Sequence, residues 1–328
     1  MTDAAAAAHR PPALVWSWPH ALIGVVYALP AAIVSLVDPH AGFPLAVGVL
    51  PAVILGVPAE RRRRLMILVL GTGAGVSLFI GGALSQLPTY LTATLLAITV
   101  VGAALLATRV AAGMIVLSLC APLVAAGLSE TTWSSAAATM GLLVAGSVYA
   151  WLVALLWPAR RAPERPQRQL PQRAAMLDYG IRMGIAAALV YLITAGLGLD
   201  HPGWAPTACL LVARPQLDLL QSRGIGRVAS VVVGGLAALL LLRVDPSNVV
   251  LAVVALAVLA AAAGTVGSRW YITSAFTTLL VLVMMLSGHP DETTSKFNER
   301  VGETVLGVAA AYVFGWAVPA IRNRLRKD

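Results

Sequence analysis

The chain has 328 residues, of which 59% are hydrophobic and only 11% charged, with 23 Lys and Arg against 14 Asp and Glu for a formal charge of +9. A soluble domain of this length needs far more charge to cover its surface, so the composition excludes a water-soluble enzyme or nucleic-acid-binding domain. It specifies an all-α, polytopic transmembrane bundle with the bilayer as solvent.

No small-residue cleavage site follows a short apolar core in the first 20 residues, so the first apolar run reads as a retained span. Apolar runs of about 17–24 residues, separated by short polar breaks, predict twelve spans. In the first half they fall near 18–37, 42–58, 65–85, 88–107, 110–128 and 136–157. In the second half they fall near 180–199, 203–220, 225–243, 247–266, 270–287 and 300–319. With the N-terminus inside, 20 of the 23 basic residues lie on the cytoplasmic side, leaving only Arg243, Lys296 and Arg300 outside. Both termini are therefore expected in the cytoplasm, and the basic excess reports orientation, not a nucleic-acid partner. The polar stretch 159–178, ARRAPERPQRQLPQRAAMLD, reads as a solvated cytoplasmic linker that could also touch anionic headgroups. It divides the chain into a six-span unit at 1–158, the linker, and a second six-span unit at 179–328 with a short cytoplasmic tail.

The two units repeat with a shift of about 160 residues. Asp38-Pro39-His40 meets Asp200-His201-Pro202, and Phe43 falls on Trp204. Arg64, seven residues before Gly71, matches Arg227, seven before Gly234; Arg109 matches Arg269. GSVYAWLVALLWP from Gly146 lies on GVAAAYVFGWAVP from Gly307. An even number of spans per copy gives both the same orientation, so a pseudo-two-fold axis along the membrane normal is expected.

Span 2 carries Pro51 and span 8 carries Pro215 near the equivalent position, so both helices are expected to be Pro-interrupted. Proline frees a carbonyl one turn earlier, which membrane depth tolerates only where protein or a water-filled cavity satisfies it. Broken helices at matching places in two repeats point to a transport site; a kink that serves packing is the alternative. Arg214 lies about 12 residues into span 8, or roughly 18 Å along it, with Asp218 at i+4. Two readings stay open. The pair neutralises itself near the interface, or an opened helix presents Arg214, Gln216 and loose backbone to an anionic solute, with Asp218 carrying a proton.

Span 12 places Arg300, Glu303 and Thr304 at i, i+3 and i+4 on one face. They read as an end-capping ion pair or as a cation beside a proton-carrying carboxylate. Span 11 adds a hydroxyl stripe of Thr273, Ser274, Thr277 and Thr278, as helix glue or pathway lining. Glycine runs at Gly71–Gly75, Gly234-Gly235 and Gly302–Gly307 suit close helix crossings. Cys120 and Cys209 read as core filling, and the loop histidines His40 and His201 as neither metal ligands nor sensors. No metal or cofactor site is expected. The phosphate-cradling loop of an ATP-driven pump is missing, as is any nucleophile–base constellation, so the chain does not read as an enzyme.

These residues resemble the fusaric acid resistance-like (FUSC) family, which includes aromatic acid exporters. The second half carries the pattern best: Arg182 in IRMGIAAALVYL, Trp204 in HPGWAPTACLLVARP, Arg227 to Gly235 in RVASVVVGG, then RWYITSAFTTLLVL, and Arg300, Glu303, Thr304 and Gly307. The first half keeps the outline with His20, Phe43 and Thr139 in place of Arg182, Trp204 and Arg300, so the resemblance extends over nearly the whole chain. Many relatives carry a large cytoplasmic region after each six-span unit; this chain has only its linker and tail, which leaves a periplasmic adaptor in doubt.

The resemblance implies a bacterial cytoplasmic (inner) membrane protein, a homo-oligomer being compatible, that exports small aromatic carboxylic acids with proton coupling. Arg214, Arg227 and Arg300 would supply positive potential, Trp204 an aromatic face, and Gln216 and Thr277 polar contacts. Asp218 or Glu303 would carry the proton. Passive anion conduction, as in plant malate channels with a related unit, and a non-transporting envelope-assembly scaffold are the competing functions.

Overall fold

The computed structural model describes residues 14–110, 112–158, 170–213, 217–286 and 293–325, without the side chains of Leu217, Asp218, Met285, Thr293, Asn323 and Leu325. Helices account for nearly all of it, because in hydrocarbon each backbone polar group must find its partner within its own segment. In chain order they are α1 (Trp18–Ser35), α2 (Pro39–Leu55), α3 (Arg61–Leu84), α4 (Thr89–Ala107), α5 (Gly113–Gly127) and α6 (Trp133–Leu155). The second half follows with α7 (Arg173–Gly196), α8 (Trp204–Val212), α9 (Leu217–Leu242), α10 (Asn248–Gly264), α11 (Trp270–Leu286) and α12 (Thr293–Tyr312). A wide π turn at Val313–Ala317 carries α12 on into Val318–Leu325, and a second such turn, Val116–Cys120, lies within α5.

Among the described residues, seven helices are long and apolar enough to cross a membrane; α2, α5, α10 and α11 are apolar but shorter. Helix α8 has nine residues, about 14 Å of rise against a core of about 30 Å, so it cannot cross alone. That corrects the predicted span at 203–220. Ala213 turns extended (ψ 124°) directly after Val212, and the Tyr179 hydroxyl on α7 donates to its carbonyl at 3.1 Å. Residues 217–220 instead open α9. Pro215 lies outside the described residues, as do Arg214 and Gln216. Helix α7 begins at Arg173, so the end of the polar stretch 159–178 is its first turns and not linker.

The packing repeats with a six-helix shift. Helix α1 lies on α10 as α7 lies on α4; α2 packs on α6 as α8 does on α12; α3 meets α5 and α6 as α9 meets α11 and α12; α2 touches α11 as α8 touches α5. Small residues set the closest approaches. A Cβ at Gly24 on α1 would fall 2.6 Å from Ala263 Cβ, and one at Gly184 on α7 would fall 2.9 Å from the Ala97 carbonyl oxygen. The interior divides accordingly. One apolar cluster joins α1, α2 and α6 to α10 and α11, with contributions from α3, α8 and α9; the other joins α7, α8 and α12 to α4 and α5, with Leu220 from the start of α9. Each lobe therefore takes three helices from one sequence repeat and two from the other, and the halves are intertwined.

Pro51 corrects the prediction of a broken second helix, since α2 runs continuously through Pro44 and Pro51. Side chains from neighbouring helices supply what such prolines remove. Near Pro51, Ser147 on α6 donates to the Gly48 carbonyl at 2.6 Å, beside the Val47 carbonyl that the proline deprives of its helical donor. Pro30 takes the donor from the Val26 carbonyl, and the Tyr149 hydroxyl replaces it at 2.9 Å. Pro206 does the same to Pro202, served by Thr194 at 2.9 Å. In the π turn the Phe314 carbonyl faces Pro319 at i+5, and Arg182 donates to it at 2.6 Å. With these bonds made, proline bends the helices without opening them.

Candidate functional site: a buried guanidinium–carboxylate cluster

The two arginines at equivalent places in the repeats meet different fates. Arg64, fully buried near the start of α3, donates to the carbonyls of Pro58 (2.9 Å), Ala154 (2.8 Å), Trp157 (2.7 Å) and Pro158 (3.0 Å), with Ala59 at 3.5 Å. It closes the C-terminal end of α6, where orphan carbonyls and the negative end of the helix dipole both call for a cation. Its donors are spent on structure.

Arg227 sits ten residues into α9, about 15 Å along the helix. It is 6% exposed. Its Nη1 donates to Ser274 Oγ on α11 at 2.8 Å, and Ser230 Oγ donates to the same hydroxyl oxygen at 2.9 Å. The Arg227 Nε has no hydrogen-bond partner among the described residues. Close enough to act on it electrostatically is Arg300, seven residues into α12 and also 6% exposed. Among the described residues Arg300 keeps both Nε and Nη1 unpartnered, and its guanidinium carbon lies 4.4 Å from the centroid of the Trp204 indole. Glu303, one turn further and 2% exposed, has neither carboxylate oxygen hydrogen-bonded among the described residues. Thr304 spends its hydroxyl on the Arg300 carbonyl at 2.7 Å.

Buried charge without hydrogen bonds is costly, by several kcal/mol per ion after relaxation. Where α8, α9, α11 and α12 converge, two guanidinium groups keep unused N–H donors and one carboxylate keeps both oxygens unbonded among the described residues. Such a set can take an anion on the guanidinium N–H groups and a proton on the carboxylate.

Toward the end of the bundle that carries the loop before α8, the polar chain continues. Lys296 pairs with Asp200 and lies 3.6 Å from Glu299, whose Oε1 accepts from the His201 backbone N–H at 3.0 Å and lies 3.6 Å from Nδ1. The His201 ring stacks on Trp204 at 4.1 Å and 10°. Lys296 holds the Asp200 carboxyl below its ordinary range, while burial pushes the His201 imidazole down against the opposing pull of Glu299. At the opposite end Asp178 pairs with Arg182 at 3.0 Å and with Arg322, tying α7 to the end of α12.

The structure thus brings together Arg227, Arg300, Glu303 and Trp204 from the sequence-derived set. Thr277 turns its hydroxyl onto the Thr273 carbonyl at 2.9 Å. Asp218 opens α9, with its side chain outside the description. Pro51 belongs to the packed interior of the other lobe. Sequence reasoning missed Ser230 and the His201 stack. Ser274 stood in the recognised hydroxyl stripe, and its spacing to Thr277 and Thr278 alone could not say which hydroxyl meets Arg227. No group of three or more His, Cys, Asp or Glu residues with metal-ligand geometry occurs among the described residues, and both cysteines are free.

Residues 185–314, from α7 into the π turn after α12, match the family model described as fusaric acid resistance protein-like. That match contains Trp204, Arg227, Ser274, Arg300 and Glu303. It bears out the resemblance over the second half of the chain. Two curated relatives, each called uncharacterized transporter YdhK, from Escherichia coli strain K12 and from Escherichia coli O157:H7, are 38% identical over 77 residues. The aligned stretch is 23% of this chain and 12% of either relative's own length. No solved structure matches the chain.

Proposed function

We infer that this multi-pass membrane protein, whose residues 185–314 form a fusaric acid resistance protein-like unit, is a secondary transporter that exports small organic anions with proton coupling. The observation that carries the reading is the buried cluster itself: among the described residues, Arg227 and Arg300 hold unpartnered N–H donors beside a Glu303 carboxylate that has no hydrogen bond. A carboxylate-bearing solute satisfies those donors in a way water cannot match in a dry interior. Glu303 is then the proton carrier, taking a proton as the anion binds between the guanidinium groups and losing it as the anion leaves, so that charge in the cluster stays balanced. The transporter name of the aligned relatives supports the coarse class. The excess of arginine at one end of the helices supports cytoplasmic termini in a bacterial inner membrane.

Trp204 enters this scheme as the holder of Arg300. The ring is 4% exposed and already holds Arg300 and His201 against it, so it offers a solute ring little open surface.

The test is flux of benzoate, the simplest aromatic carboxylate, in proteoliposomes under an imposed pH gradient. Wild type should move benzoate with a rate that follows the gradient, Arg300→Gln should abolish movement, and Glu303→Gln should retain exchange but lose gradient dependence. Benzoate movement indifferent to the gradient in wild type refutes proton coupling. A macroscopic current reversing at the anion equilibrium potential would assign a channel instead.

A further inference from the structure

His201 and Glu299 stand outside the anion cluster, yet the packing connects them to it through one ring. The His201 imidazole stacks on Trp204 at 4.1 Å and nearly parallel, and the Arg300 guanidinium carbon lies 4.4 Å from the centroid of the same indole. Trp204 is 4% exposed, with no room to slide away from both. The charged groups that face His201 are Glu299, Lys296 and Arg300 from α12 and Asp200 from its own loop. Of these, Glu299 is the one in reach: its Oε1 already takes the His201 backbone N–H and lies 3.6 Å from Nδ1, an atom with no hydrogen-bond partner among the described residues.

Neutral imidazole stacks on indole as one ring on another, leaving the ring's electron density to attract the Arg300 guanidinium. Imidazolium changes both relations. It brings a second cation to the ring that already holds Arg300, and it converts the 3.6 Å approach to Glu299 into a charged hydrogen bond that competes with Lys296 for the same carboxylate. Both changes loosen Arg300 from Trp204.

We propose that His201 is a positioning residue for the anion site, acting through Trp204 on Arg300, so that a proton taken up at the outer end of the bundle weakens the hold on Arg300 and with it on the bound anion. The proposal rests on the reading of Arg300 as an anion ligand, but the coupling can be measured without any anion. Burial of His201 places its titration below the ordinary 6.5.

The experiment is a fluorescence titration of the purified full chain in lipid nanodiscs between about pH 8 and 5, with Trp204→Phe subtracted to isolate one indole. Wild type should show a Trp204 emission that falls on acidification with a midpoint below 6.5, because imidazolium quenches a stacked indole more strongly than imidazole does. His201→Gln should abolish the titration. Glu299→Gln should move the midpoint to still lower pH, since it removes the carboxylate that favours the charged ring. Monodispersity on gel filtration checks that each variant is folded. A Trp204 signal flat in wild type, a titration surviving in His201→Gln, or a midpoint unmoved by Glu299→Gln would each overturn the proposal. In a second arm, benzoate affinity should weaken about tenfold across the same titration and stay constant in His201→Gln. An affinity equally pH-dependent in both proteins overturns the positioning role. No benzoate binding at any pH, with the Trp204 titration intact, overturns the anion reading and leaves the His201–Trp204 coupling standing.

Discussion

The sharpest consequence of the structure lies in two arginines that the repeat makes equivalent. Arg64 donates to four carbonyls at 3.0 Å or less. In Arg64→Met these carbonyls lose their donor where the ends of α6 and of the α2–α3 loop are packed together. At about 1 kcal/mol for each bond the loss is about 4 kcal/mol, of which water reaching the helix end returns part, leaving about 2–4 kcal/mol. Arg227→Met forfeits one bond, to Ser274, of about 1 kcal/mol. It also removes a buried charge that has an unpartnered Nε and stands near a second cation, an exchange that is neutral or stabilising when an apolar side chain fills the space. The two variants should thus differ in stability by at least about 1 kcal/mol, with benzoate binding lost only in Arg227→Met. Unfolding in mixed detergent and dodecyl sulfate, followed by far-ultraviolet circular dichroism, measures the first quantity, and equilibrium binding measures the second. If Arg227→Met is destabilised as much as Arg64→Met, Arg227 is a structural staple and the anion site assigned to it does not exist.

Gly146 and Gly307 occupy matching crossings, where an added Cβ would lie 2.4 Å from the Leu45 carbonyl oxygen and 2.2 Å from that of Ala205. Either glycine changed to alanine should cost about 1–3 kcal/mol, whereas Gly302→Ala, with nothing within 4 Å, should be tolerated; thermal unfolding in detergent ranks the three. Tyr149→Phe should cost about 1 kcal/mol by stranding the Val26 carbonyl that Pro30 leaves open. The cost should vanish in a Pro30→Ala background, where the helix supplies its own donor, and a double-mutant cycle reads the difference. Because burial lowers the His201 pKa from 6.5, the unfolded chain binds more protons there than the folded one in the window just below 6.5. Stability should therefore rise with pH across that window, and below the folded value the loss is complete. His201→Gln should flatten that segment of the stability–pH curve, and an unchanged slope would show that His201 does not titrate there.

Hydropathy located the helices because a bilayer leaves the backbone no partner outside its own segment, so a span is decided locally, and eleven of the twelve apolar runs have helical counterparts of similar extent. The repeat was legible for the same reason, as was the polar content of the second half: Arg227, Trp204, Arg300 and Glu303 are conspicuous in apolar surroundings. Around Pro215 local reasoning failed, since the sequence shows a proline and a cation without saying whether the helix bends, breaks or ends. There the answer was an end at Val212 and a 26-residue helix α9 beginning at Leu217. Pro51 went the other way: α2 runs through it to Leu55, with Ser147, 99 residues along the chain, bonded to the neighbouring Gly48 carbonyl. What only tertiary structure decided is of this kind throughout. Arg64 and Arg227 have the same sequence neighbourhood, and they differ because one finds the end of α6, 90 residues away, while the other finds a single hydroxyl and a second arginine. The intertwined lobes and the His201–Trp204–Arg300 stack likewise depend on partners brought together from distant helices, whose identity no local pattern of side chains encodes.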